Sequence, residues 1–125
     1  MSHRILIAYQ KVFALAMKVY ELSKSFPPEE KHSLTSQVGR STRSVCASIV
    51  EAYRKRRYEA YFVSKLTDSD MENRESQVWF EFAFACKYIN QDEFNELYAA
   101  SEEVGRLLAH MMQNPKKFLP KADKP

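Results

Sequence analysis

Glycine is scarce in this chain: only Gly39 and Gly105 occur in 125 residues. A sheet protein of this length needs many tight turns, so the shortage argues against all-β and α/β folds and against a Gly-rich phosphate loop. The five prolines, Pro27, Pro28, Pro115, Pro120 and Pro125, all lie outside the periodic segments. The two cysteines, Cys46 and Cys86, sit among apolar residues in helical patterns. They read as small buried hydrophobes in a reducing compartment. No apolar run approaches the ~18 residues of a membrane span. Residues 1–9 lack a signal-peptide core and cleavage site, so a cytoplasmic location and no membrane partner are expected. Lys plus Arg is 19 against 16 Asp plus Glu, a net charge of +3, so clustering of charge says more than its total. Glu29 and His32 form the single Glu-x-x-His pair, at an exposed helix start, and His3 and His110 have no ligand-spaced companions. A di-iron or zinc centre is therefore unsupported, and no cofactor, no metal and no enzymatic activity are expected. A buried thiol is the plainer reading of Cys46, although a histidine could still meet it in space.

What is present is helical periodicity, on a length that suits one domain. The spacing predicts an all-α, up-down-up-down antiparallel four-helix bundle over residues 1–115. Its helices are expected at about 6–25, 29–57, 59–88 and 91–113, followed by a basic, disordered tail at 116–125. In the first helix Tyr9, Val12, Phe13, Ala16, Val19, Tyr20 and Ser23 recur at three- and four-residue spacing. Phe26-Pro27-Pro28 stops it. Glu29 and Glu30 are placed in the first turn of the second helix, where negative charge suits the dipole. Asn90 and Glu93 form a capping-box pattern that opens the fourth helix.

The second helix has a thin apolar stripe, Val38, Val45, Ile49 and Ala52, and a polar middle with Arg40, Ser41, Arg43, Ser44 and Ser48. The first half of the third helix is polar too, from Asp68 to Gln77. An antiparallel hairpin turning near Arg57 pairs positions whose numbers sum to about 115. Arg40 then meets Glu75 and Arg43 meets Glu72 in a partly buried ion-pair network, the alternative being two solvated faces. The second half of the third helix is apolar in nearly every direction. Trp79, Phe82 and Phe84 are therefore candidates for an oligomer interface, unless the first helix or the tail covers them.

The segment FPPEEKHSLTSQVGRSTRSVCASIVEAYRKRR, residues 26–57, resembles the bacterial 23S-rRNA intervening-sequence proteins, a four-helix-bundle family. That family's pattern is an aromatic-proline pair, a glutamate, Leu-x-x-Gln-x-x-Arg, then a Ser-rich stretch ending Ile-Ala-Glu-Gly. Leu34, Gln37, Arg40, Ser44, Ile49 and Glu51 match it, and residues 103–108, EVGRLL, resemble its closing segment. Ala52 replaces the glycine after the glutamate, and the proline often found in mid-helix two is absent. The resemblance implies a homopentamer of four-helix bundles. It also implies similarity to the accessory proteins of diversity-generating retroelements, which are basic, pentameric and linked to nucleic acid and a reverse transcriptase partner.

The second helix ends in Arg54, Lys55, Arg56 and Arg57, with Tyr53, Tyr58 and Tyr61 interleaved. Cations neutralise phosphates and aromatic rings stack on unpaired bases. Arg54, Lys55, Arg56, Arg57 and Tyr58, with Lys116 and Lys117 of the tail, are the nucleic-acid-binding candidates. In a ring-like homo-oligomer they would repeat on every subunit. RNA, or DNA, is the expected partner. The alternatives are a solvated helix end, or a scaffold or accessory subunit that holds a protein partner.

Overall fold

The computed structural model describes His3 and residues 6–123. Four helices make the fold, with no strand among the described residues: α1 (Ile7–Ser23), α2 (Leu34–Arg54), α3 (Glu59–Ala85) and α4 (Gln91–Gln113). Each packs on its two neighbours in a closed cycle, α2 against α3 most extensively and α1 against both α2 and α4. Consecutive helices are antiparallel. Between α2 and α3, Glu51 pairs with Lys65, Ser41 with Ser76 and Glu30, just before α2, with Tyr88, so one number rises as the other falls. Lys11–Glu103 and Lys18–Glu96 show the same for α1 and α4.

The core has two apolar clusters separated by a polar layer. One cluster, which includes Val12, Ile49, Phe62, Leu66 and Leu108, lies at the end where α2 finishes. The other gathers Leu15, Val38, Phe80, Ile89 and Leu97 at the opposite end. Ser41, Asn73, Ser76, Gln77 and Ser101 are buried between them. The Ser41 and Ser76 hydroxyls are 2.9 Å apart. Asn73 Nδ2 donates to the Ser101 carbonyl at 2.9 Å and Gln77 Nε2 to Ser101 Oγ at 2.7 Å. Buried polar groups paired in this way specify helix register as much as they stabilise it.

Several boundaries differ from the expected ones, each for a local reason. Glu29 and Glu30 belong to a separate 3₁₀ turn, Pro28–Glu30, and not to α2. Glu30 still acts on the helix from outside, because its carboxylate accepts from the Leu34 amide at 3.2 Å and from the Ser33 hydroxyl. Those bonds and the one from Tyr88 hold its carboxyl below the usual carboxylate range. α2 stops at Arg54, because the amides of Lys55 and Arg56 turn back to the carbonyls three residues earlier. α3 stops at Ala85 because Lys87 takes a left-handed conformation, φ 66°. Tyr88 N then bonds the Ala83 carbonyl and Lys87 N that of Phe84, a complete Schellman closure made without glycine. α4 opens with both halves of the Asn90–Glu93 capping box at 2.8 Å.

The tail also differs from the expected disorder. Pro115–Phe118 forms a 3₁₀ turn that packs on α3 and α4. Phe118 lies against Phe62, with ring centroids 5.9 Å apart, and joins the first core cluster. A second turn, Lys121–Asp123, lets Asp123 reach Arg57. An aromatic residue three positions after Pro115 lets the chain bury more apolar surface by folding back than by fraying. Residues 124 and 125 of the expected tail lie outside the described residues.

Candidate nucleic-acid interface

The basic end of α2 keeps only part of its charge available. Arg56 lies over the Tyr53 ring at 4.0 Å and donates to the Tyr53 carbonyl at 2.9 Å. Arg57 Nε donates to Asp123 Oδ2 at 2.7 Å, which pushes the guanidinium pKa up further. Arg54 projects into solvent. Lys55 Nζ sits between two exposed rings, 5.8 Å from Tyr58 and 5.7 Å from Tyr61. Tyr58 is 61% and Tyr61 45% exposed. Lys116 and Lys117 are exposed at the same end, where the tail returns. Two of the four helix-end cations are thus held by the fold, while Arg54 and Lys55 face outward beside open aromatic faces.

The expected Arg40/Arg43–Glu72/Glu75 network is not formed. The axial pairing of α2 with α3 is close to expectation, but Ser41 and Ser76 are the residues that face each other. Arg40 is about 100° around the helix from Ser41 and points outward. Its guanidinium meets Gln37 at 3.4 Å and, among the described residues, no carboxylate within ion-pair distance. Arg43 lies 6.0 Å from the Tyr20 ring centroid. Glu72 is left beside Glu75 and Asp68. Partial burial and those carboxylates push its pKa up, against the pull of Arg40. The polar half of α3 finds partners on α4 instead: Arg74 Nη1 and Gln77 Nε2 both donate to Glu102 Oε1 at 3.2 Å.

The proposed interface trio is also redistributed. Phe84 stacks on Phe94 at 5.0 Å, and Trp79 packs partly into the same core cluster. The start of α4 covers Phe84, which the pattern of α3 alone could not show. Phe82 remains 53% exposed, on an outward stripe with Val78 and Met71. α1 is turned from its expected face as well. It buries Ala8, Val12, Leu15, Ala16 and Val19, and leaves Phe13, Met17 and Tyr20 outside. Cys46 is partly buried, with its thiol pushed up to about 11 by burial, whereas Cys86 is exposed at the end of α3. No group of three metal-ligating side chains converges among the described residues. Among the described residues no helix is long and apolar enough to cross a membrane.

An open groove of about 700 Å³ between α1 and α2 is the feature that the sequence reading missed. Lys24, Lys31, Arg40 and Arg43 line it, over a floor of small residues that includes Ser36 and Gly39. The signal was available: Ser36, Arg40, Arg43 and Ala47 repeat at helical spacing on one side of α2. That spacing alone does not show whether the two arginines face α1 or the carboxylates of α3.

An antiparallel four-helix bundle with a polar mid-layer and basic surface patches defines the class. The chain belongs to the 23S rRNA-intervening sequence protein family, whose model matches residues 4–110. Among solved structures it is similar to a protein of unknown function from the S23 ribosomal protein family of Bacteroides thetaiotaomicron. The TM-score is 0.77 at 24% identity, covering 86% of this chain and 99% of that one, which is a likeness of fold. No curated protein matches the chain.

Proposed function

We propose that this chain is a non-enzymatic, oligomeric four-helix-bundle protein that binds nucleic acid, RNA first, through a basic surface repeated on each subunit. The observation that carries the reading is Lys55 held between the exposed rings of Tyr58 and Tyr61, beside solvent-facing Arg54. A cation for phosphate next to open aromatic faces for unstacked bases is the chemistry of sequence-tolerant single-strand binding. Lys116 and Lys117 add charge at the same end. Membership of a family described by a ribosomal RNA element supports RNA as the first ligand to test.

Assembly is supported by two outward apolar stripes on helices across the bundle from each other: Phe13 and Met17 on α1, Val78 and Phe82 on α3. Exposed apolar patches mark interfaces, and two different faces that meet head to tail generate a ring when the rotation between subunits closes. Native mass spectrometry tests this: a homopentamer is the expected state, and a monomer at micromolar concentration removes the ring. The expected binding result is RNA retention that falls steeply with salt. Absence of RNA and DNA binding at low salt removes the nucleic-acid reading. Arg54→Glu with Lys55→Glu separates it from a second one, a scaffold for a protein partner. The reversal weakens RNA retention if the rings and cations touch nucleic acid, and leaves RNA retention unchanged if they do not.

A further inference from the structure

We infer that the groove between α1 and α2 is a second phosphate-binding site, which takes the backbone of a single-stranded nucleic acid and extends the basic end of α2 into one continuous track. The inference rests on the nucleic-acid reading above. Arg40 and Arg43 line the groove on α2, with Lys31 at its mouth and Lys24 on the α1 side. No carboxylate lines the groove. Among the described residues Lys31, Arg40 and Arg43 have no acidic partner within ion-pair distance, and Lys24 holds the exposed Glu21 at 3.4 Å. Unpaired cations gathered in a concave surface raise the local positive potential more than the same charges spread over a convex one.

The ring of Tyr20 organises the rim. Lys24 Nζ lies 4.7 Å and Arg43 6.0 Å from its centroid, so the two cations from different helices are held on one aromatic side chain. The floor is built from small side chains, and an atom added at the Cβ position of Gly39 would meet nothing within 4 Å. There is room for a chain of phosphates to approach the guanidinium groups, whose planar forks suit phosphate oxygens. Helical spacing carries the track onward. Arg40, Arg43 and Arg54 fall within about 60° of one another around α2 and span about 20 Å of its length. Along that side Glu51 of α2 is paired with Lys65 at 3.0 Å, and Asp68, at 3.5 Å from the same Lys65, and Glu72 border the track from α3. A flat duplex would touch only the rim of a groove between two packed helices, whereas a single strand can follow it.

The test is fluorescence anisotropy with a labelled, unstructured uridine oligonucleotide across a salt series, with native mass recorded for every variant. Arg40→Gln with Arg43→Gln is compared with Arg54→Gln with Lys55→Gln. Both pairs involve exposed residues, and helical circular dichroism checks the fold. The groove pair is expected to weaken binding about tenfold or more. It is also expected to flatten the log–log salt slope by about 1.4, two contacts at about 0.7 each. Binding at wild-type affinity by the groove pair, with loss in the helix-end pair, overturns the groove and leaves the wider reading standing. A change in native mass in the groove pair overturns it in favour of a contact between copies of the chain. Failure of the wild-type protein to bind at all removes the nucleic-acid reading and the groove with it.

Discussion

The basic end of α2 and the groove between α1 and α2 each hold four cations, and they differ in what the fold has done with them. At the helix end, Arg56 is laid on Tyr53 and Arg57 is tied to Asp123. In the groove, Arg40 meets Gln37 and Arg43 an aromatic ring, with no ion pair to either among the described residues. The helix end looks stronger in sequence because its charges are consecutive. Consecutive residues in a helix end and the turn after it point in different directions, so a run scatters its charge. The groove gathers cations from residues 24 to 43, and Arg40 and Arg43 form no ion pair among the described residues, although Glu72 lies near enough to feel the charge of Arg40. A charge run in a sequence is therefore a poorer guide to an available anion site than the same number of cations at helical spacing.

Breaking the clamp at the helix end has the largest expected effect. Phe118→Ala should destabilise the protein by about 1–2 kcal/mol, below the ~3–5 of a fully buried phenylalanine because this ring is only half-buried. The urea midpoint measures it, and an unchanged midpoint would show that the tail does not pack on Phe62. Gly39→Ala comes next. Its helical position and open surroundings predict a gain of about 0.5–1 kcal/mol from reduced chain entropy. Oligonucleotide affinity should stay within about twofold if the groove holds a flexible backbone, since a methyl group adds little to an open floor. A loss of native mass would mean instead that another helix packs closely there.

Asp123→Asn should free Arg57 and raise oligonucleotide affinity about twofold with a steeper salt slope, bringing the helix end closer to the groove in strength. Affinity unchanged by this substitution would place Arg57 away from the ligand. The smallest effect belongs to the brace that sets the turn carrying Lys31. Tyr88 donates to Glu30 at 2.8 Å, which pushes the phenol up to about 12 from 10.0. A raised folded pKa contributes stability that is fully present below pH 10 and is lost as pH rises through about 12. Glu30, held below 4.5, contributes above that value and loses its contribution as pH falls through the folded one. The difference in midpoint between wild type and Tyr88→Phe should shrink across the alkaline window, and a constant difference would deny the bond.

Much of the fold was legible because its signals are local. The apolar periods mark four helices, Asn90 with Glu93 marks a helix start, and the α2–α3 turn sets which residues share an axial level. Legibility failed wherever rotation about a helix axis mattered. Ser41, and not Arg40, faces α3, and Phe13 and Tyr20 lie outside where Leu15 and Ala8 lie inside. Phe84 is covered by α4 while Phe82 is not. The tail is ordered by a single aromatic residue, Phe118, whose partner Phe62 lies 56 positions away in the chain and leaves no local signal. The end of α3 carries no local signal, because Lys87, a residue with no turn signature, adopts the left-handed conformation.

Of the molecule as a whole, the sequence by itself determined the helical class, the number of helices, their antiparallel order and the family pattern in α2. Each follows from spacing along the chain, and spacing is a one-dimensional property. The tertiary structure alone decided which face each helix turns inward, which cations remain unpaired and where a groove opens. Those are angular properties of four cylinders packed together. They are set by the joint burial of all four apolar stripes and by the paired polar layer at Ser41, Ser76, Asn73, Gln77 and Ser101.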